Sequence, residues 1–208
     1  MALTTYGGLK TAIEAWASNS ALTSHLDDFA TWADQEIARR LRANVLLATA
    51  TLTLSAETIS QPTGFLAFKR LWLTTTPRKR ILVTSAEAAA DMFAEFEAST
   101  YPTHVSVEGT SLRFAPQFTG TTTTASALYY KRQTAMSADG DTNVVLAAYP
   151  YLYLYGSLEA LFSYQEDDNN ADRYGQKFGA LIEDINTRDA ADVTRGPQQI
   201  HNYAGGVV

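Results

Sequence analysis

The spacing of apolar residues changes twice along the chain, from a helical period to an alternating one and back. Leu9, Ala12, Ile13 and Trp16 fall on one face at helical spacing, and Thr4 or Thr5 is placed to cap the helix they define. Asn19-Ser20 ends it. A second helix begins near Thr23 or Ser24 with the stripe Leu26, Phe29, Ala33, Ile37 and Leu41. Asp27 and Asp28 lie in its first turns and Arg39, Arg40 and Arg42 in its last, the charge order that suits the helix dipole. The three arginines read as a solvated helix end.

After Asn44 the period becomes two. Ala48–Leu54 (ATATLTL) and Phe68–Thr74 (FKRLWLT) alternate and are rich in β-formers. Pro77, Arg78, Lys79 and Arg80 form a turn into the strand Ile81–Val83 and make the one tight basic cluster of the chain, a charged hairpin tip that reads first as solvated and second as a contact for an acidic partner. Thr84 to Glu87 has the spacing of a capping box, opening a short helix through Met92, Phe93 and Phe96. Val105–Val107 and Leu112–Phe114 flank Glu108-Gly109-Thr110-Ser111, a hairpin with glycine in the turn. Thr119 to Thr124 leads into a strand over Ala125–Lys131.

From Asn143 to Phe162 (NVVLAAYPYLYLYGSLEALF) two readings compete. As a strand, Tyr149, Tyr151, Tyr153 and Tyr155 share one face. As a helix, the segment starts at Pro150, whose missing N–H costs nothing in a first turn. The run is too long for an ordinary strand, and Leu158, Leu161 and Phe162 have helical spacing, so the helix is preferred. A helix apolar on nearly every side must be enclosed. The uncharged run falls short of the roughly 20 residues that span a bilayer, so protein encloses it, as the central helix of a packed bundle. Glu166 to Asn170 is a polar connection with an N-cap at Asp168 or Asn169, and the last helix carries the stripe Ala171, Tyr174, Phe178, Leu181 and Ile185. Beyond Ala191 the pattern stops, and Gly196-Pro197 and Gly205-Gly206 mark an extended tail.

The expected fold class is therefore α+β. The helix pairs of residues 1–44 and 133–191 form a four-helix bundle, residues 45–132 an inserted β-rich domain, and residues 192–208 an extended tail. Within that tail Ile200, Tyr203, Val207 and Val208 suit small pockets on a partner, Arg195 supplies a charge, and Gly196 and Pro197 stop the helix, so the tail reads as a docking arm.

Composition narrows the function. The 208 residues are 46% hydrophobic, enough for a sizeable core, and the formal net charge of −6 argues against a dedicated nucleic-acid binder. With no cysteine there is neither a disulfide nor a thiol nucleophile. The opening Met1-Ala-Leu-Thr-Thr lacks the basic start of a signal peptide, which makes the cytoplasm the expected place of synthesis and assembly. His25, His104 and His201 show no metal-ligand spacing. Asp139-Gly140-Asp141-Thr142-Asn143 imitates the start of a calcium loop, but Val144 stands where the loop needs glycine and Pro150 where it needs a bidentate glutamate. The acidic cluster Glu166 to Asp168 has the residue types for a cation or for paired carboxylates, but as a helix connector with a ready N-cap it needs no such role. Gly156-Ser157 lacks the flanking glycines of a nucleophile elbow. No metal, cofactor or catalytic constellation is expected, and the chain reads as a non-enzyme.

Several ordered motifs carry a resemblance. Ile37-Ala-Arg-Arg-Leu-Arg42 followed at once by Ala48–Leu54, then Pro62-Thr-Gly-Phe65 before Leu71-Trp72-Leu73, then Leu112–Pro116, and above all Tyr149-Pro-Tyr-Leu-Tyr-Leu-Tyr-Gly156, resemble the head–tail adaptors of tailed bacteriophages. The group includes proteins of the tail tubular protein A type and the connectors of short-tailed phages, and the likeness runs over about residues 3–190. It implies a structural virion protein at the head–tail interface. In such a protein about twelve subunits form a homo-oligomeric ring beneath the portal protein, a downstream tail or nozzle protein binds the other side, and genomic DNA passes through the middle without sequence-specific contact. The helical bundle would dock on the portal and the β domain reach toward the tail, with Arg78, Lys79 and Arg80 as a candidate tail-side contact. A second reading, from the residues, makes the β domain a binding module in which Tyr129, Tyr130 and Trp72 form an aromatic platform for a glycan or receptor component.

Overall fold

A computed structural model describes residues 3–17, 20–118 and 123–194. These comprise six α-helices and seven strands in an α+β arrangement. The chain divides into two compact units. The helical unit holds the described residues within Met1–Ala43, Ser137–Asp141 and Tyr149–Val208, and the β unit holds those within Asn44–Met136 and Thr142–Ala148. Residues 133–136 and 142–148, expected with the helices, are thus grouped with the strands.

The helical unit contains α1 (Tyr6–Ala17), α2 (Leu26–Arg40), α5 (Pro150–Tyr164) and α6 (Asp168–Thr194). A 3₁₀ turn, Ser20–His25, precedes α2, so that helix starts two residues after the expected Ser24. Thr5 Oγ1 accepts from the Gly8 N–H at 3.2 Å, the cap expected for α1. Leu9, Ala12 and Ile13 are buried as their spacing requires, but Trp16, on the same expected stripe, is 45% exposed.

Helix α5 contacts α1, α2 and α6, which is why its sequence is apolar on most sides. Leu152, Leu154, Leu158 and Leu161 are inaccessible to solvent, and so is Tyr153, whose hydroxyl donates to Asp34 of α2 at 2.7 Å. A buried phenol needs such an acceptor. Gly156 permits a close approach of α5 to two neighbours. A Cβ built there lies 3.0 Å from the Ala33 Cβ of α2 and 3.1 Å from Cε2 of Phe178 on α6. Helix α6 buries Ala171, Tyr174, Phe178, Ile182 and Ile185. Ile182 takes the deep position expected of Leu181, which is half-buried.

Two further features pin the ends of these helices. At the end of α5 the N–H of Asp167 bonds the Phe162 carbonyl and that of Glu166 the Ser163 carbonyl, with Glu166 left-handed at φ 58°. This is a Schellman ending, and Asp167, rather than Asp168 or Asn169, then caps α6 by accepting from the Asn170 N–H at 3.2 Å. Helix α6 continues to Thr194, so the first three residues of the segment expected as an extended tail are helical.

The β unit is one mixed sheet in the order β1-β7-β3-β4-β5-β6-β2, from β1 (Leu47–Leu54), β2 (Thr58–Ser60), β3 (Phe65–Leu73), β4 (Arg80–Val83), β5 (His104–Glu108), β6 (Ser111–Ala115) and β7 (Thr123–Lys131). Only β4 and β5 pair in parallel, Leu82 opposite His104. Leu52, Leu54, Leu71, Leu73, Ile81, Val105, Leu112, Phe114, Ala125, Ala127 and Tyr129 form one core cluster. The alternation in β1 puts Thr49, Thr51 and Thr53 on the other face. Gly109, at φ 58°, turns the expected β5–β6 hairpin. The short helix α3 (Ala86–Glu95) lies against β5 and β6. Its cap is Ser85, which accepts from the Ala88 N–H. The capping box expected from Thr84 to Glu87 is therefore one residue out of frame, with Glu87 in the first turn but not in the reciprocal position. Helix α4 (Val144–Ala148) is capped by Asn143, whose Oδ1 accepts from the N–H groups of Val145 and Leu146.

Candidate functional site: a basic cleft and an aromatic strip

The hairpin joining β3 to β4 carries the expected basic cluster. Leu73 N–H bonds the Lys79 carbonyl at 2.8 Å and Trp72 pairs with Arg80, so the loop between them is short and its register fixed. Arg78, Lys79 and Arg80 are all exposed. Lys79 extends over the Tyr101 ring, 4.8 Å from its centroid. Arg78 and Arg80 turn toward β3 and, with Arg70, Leu71 and Trp72, line an open cavity of about 390 Å³. Arg70 lies two residues before Trp72 and so on the same side of β3, and the pairing of Trp72 with Arg80 brings it to the cluster, which the sequence reading missed. None of the three arginines has a carboxylate partner among the described residues. The cleft therefore offers guanidinium groups, which suit carboxylates or phosphates, beside a half-buried indole.

The helical unit carries a second surface that the sequence did not reveal. Trp16 of α1 meets Tyr155 of α5 with ring centroids 6.2 Å apart, Tyr155 meets Tyr151 at 6.0 Å, and Tyr155 meets Tyr174 of α6 at 6.2 Å. Lys177 lies over both Tyr155 and Tyr174. Trp16 and Tyr151 are 45% and 50% exposed. Once Tyr153 faces Asp34, helical geometry turns Tyr151 and Tyr155 to another side together, and that i, i+4 pair was the available signal.

The other candidate residues do not gather into a site. Tyr129 is buried against Phe65, whereas Tyr130, its neighbour on β7, points to the other face of the strand, so Tyr129, Tyr130 and Trp72 form no common platform. Asp141 accepts from the backbone of Ser137 and Ala138, each at 2.8 Å, and these bonds hold its carboxyl below the usual range. Asp139 pairs with Lys10 at 2.7 Å. The acids of the calcium-like loop are thus engaged in holding the loop itself, whose Asp141 and Asp139 carbonyls accept from the first turn of α1. Among the described residues no group of three or more His, Asp or Glu is arranged for a metal. Asp167 is occupied as a cap. His25 meets Tyr164 and Phe29 in tilted ring contacts, and His104 contacts the Thr103 hydroxyl. At the end of α2, Arg42 bonds the carbonyls of Ala38 and Leu41 and Arg39 pairs with Glu36, the helix-end role expected of them. Arg195, Gly196, Pro197, Ile200 and Tyr203 of the expected docking arm lie outside the described residues, as do His201 and Thr119.

Comparison with known families decides the identity of this scaffold. A family model described as SU10 adaptor protein matches residues 4–200. The chain belongs to this family of phage adaptors. No curated protein matches it. The adaptor's resemblance to tailed-phage head–tail proteins thus stands on nearly the whole chain rather than on scattered motifs, and it makes the protein a structural component of a phage particle that contacts portal and tail proteins in general. No helix among the adaptor's described residues is long and apolar enough to cross a membrane.

Proposed function

We propose that this adaptor is the subunit of a ring, of about twelve copies, that sits beneath the portal, joins capsid to tail and lets the genome through. The family match over residues 4–200 carries this reading. The helices α1, α2, α5 and α6 act as a four-helix bundle that docks on the portal, and their exposed Trp16 and Tyr151, with the half-buried Tyr155 between them, are of the residue types that anchor protein interfaces. The β unit faces the tail or nozzle protein, with Arg78, Lys79 and Arg80 at that contact. Residues 195–208 form the docking arm. The protein works by binding rather than by catalysis, and it is assembled in the host cytoplasm. DNA passes without sequence-specific contact, and the net charge of −6 favours sliding over sticking.

Electron microscopy of the full chain mixed with its portal tests this directly. A ring of density added coaxially to the portal is the expected result. A chain that stays monomeric and leaves portal rings undecorated would overturn the proposal.

A further inference from the structure

Two surfaces of the β unit carry opposite charges that the other described residues do not neutralise. One is the cleft of Arg70, Trp72, Arg78 and Arg80. The other is the outer side of α3. That helix turns Ala89, Met92 and Phe93 inward, with Phe93 against the guanidinium of Arg113 on β6. Glu87, Asp91 and Glu95 follow at i, i+4 and i+8 and are all exposed. Nothing in α3 is basic. Like charges four apart repel along a helix, and Glu95 sits in the last turn, where the dipole disfavours an acid. No described residue forms a salt bridge with any of the three. The cleft pays the same kind of penalty, with three guanidinium groups around one cavity. The two surfaces lie at opposite ends of β4. Arg80 opens that four-residue strand and Ser85, the cap of α3, follows its end, a span of roughly 15 Å at strand rise. They face different places and do not compensate each other within one copy.

We infer that the basic cleft is a docking site for the acidic face of α3 on a second copy of this chain. Glu87, Asp91 and Glu95 meet Arg78, Arg80 and Arg70, and the Trp72 indole packs against the small Ala90 and Ala94 between the acids. Because site and occupant are different patches of the same molecule, the contact is head-to-tail. Contacts of that kind close into rings when the rotation permits, so the inference rests on the ring reading above and names the surfaces that would build it.

Charge exchange in the full chain tests it. The variants are Arg78→Glu/Arg80→Glu, Glu87→Arg/Asp91→Arg, and the quadruple variant combining them. Mass is read by analytical ultracentrifugation at low and high salt, alone and with portal, beside a melting curve. Each double variant is expected to melt like the parent and to assemble at least tenfold more weakly. The quadruple variant, which exchanges both halves of two of the three pairs and leaves Glu95 and Arg70 as they are, is expected to recover assembly to within about threefold. Folded double variants that assemble normally, or a folded quadruple variant that does not recover, would overturn the inference and leave the ring standing. A parent chain that neither self-associates nor binds portal would remove the ring reading, and this contact with it. If the parent cleft retards double-stranded DNA, and the Arg78→Glu/Arg80→Glu variant loses that property with assembly unchanged, the cleft binds phosphate backbone and the inference fails.

Discussion

Gly156 is a tightly constrained residue of the helical unit. Its missing side chain lets α5 approach both Ala33 and Phe178, and even one carbon at that position must displace a neighbour. Gly156→Leu is expected to destabilise the protein by about 3 kcal/mol or more, since overpacking a tight core forces backbone shifts. At this chain length that is a fall of roughly 6–12 °C in melting temperature, readable by calorimetry. Glu159, one turn away on the same helix, is a different kind of strain. Burial raises its carboxyl pKa, with Arg40 opposing and Glu36 adding to the shift, and its Oε2 has no hydrogen-bond partner. Gly175 on α6 leaves room for it, because a Cβ there would lie 3.0 Å from Oε1. A raised carboxyl favours the protonated fold. Its stabilising contribution is present at acid pH and lost as pH rises through the folded pKa. Glu159→Gln is therefore expected to raise the melting temperature by about 1–3 °C at pH 7 and by nothing below the carboxylate range. An equal effect at both pH values would show that charge is not the cause.

At the scale of elements, most of the secondary structure was legible because each segment carried its own punctuation. Pro150 opened α5, Gly109 turned a hairpin, and the threonine alternation of β1 marked one open face. The misreadings came from tertiary effects. Trp16 lies on the correct helical stripe yet stays half exposed, because α5 presents Tyr155 there rather than a closed wall. The Thr84–Glu87 spacing fitted a capping box, but the chain enters α3 one residue later. Arg70 shares the outward side of Trp72 by plain alternation, but only the pairing of β3 with β4 brings it beside Arg78 and Arg80. The β3–β4 hairpin also yields a prediction that separates contact from folding. Replacing Arg78, Lys79 and Arg80 together by serine removes exposed charges and one cation–π contact, worth at most about 1 kcal/mol. The melting temperature should stay within about 4 °C of the parent, while binding in assembly assays weakens. A larger loss of stability would place these side chains in a structural ion-pair network.

At the scale of the whole molecule, the α+β class and the adaptor family were legible from ordered motifs, above all Tyr149–Gly156. The docking surfaces were legible only in part. Arg78, Lys79 and Arg80 stood out as a cluster in sequence, whereas the aromatic strip is assembled from α1, α5 and α6 and exists only once they pack. The C-terminal arm has the opposite character, since its chemistry is written in consecutive residues. Helix α6 reaches Thr194, and Gly196-Pro197 is a sequence signal for a helix stop. Arg195, Ile200, Tyr203, Val207 and Val208 then offer one charge and several apolar groups without a stripe of their own. If these groups fill pockets on the portal, ordering them costs conformational entropy that portal contacts must offset, and their loss should affect assembly without affecting the fold. A chain ending at Thr194 keeps every described core residue of α6, through Ile185. It is expected to melt within about 2 °C of the full chain and to bind portal rings at least tenfold more weakly in a pull-down titration. Undiminished portal binding by the truncated chain would exclude the arm, and portal docking would then fall to the exposed aromatic strip, where Trp16→Ala and Tyr151→Ala become the deciding variants.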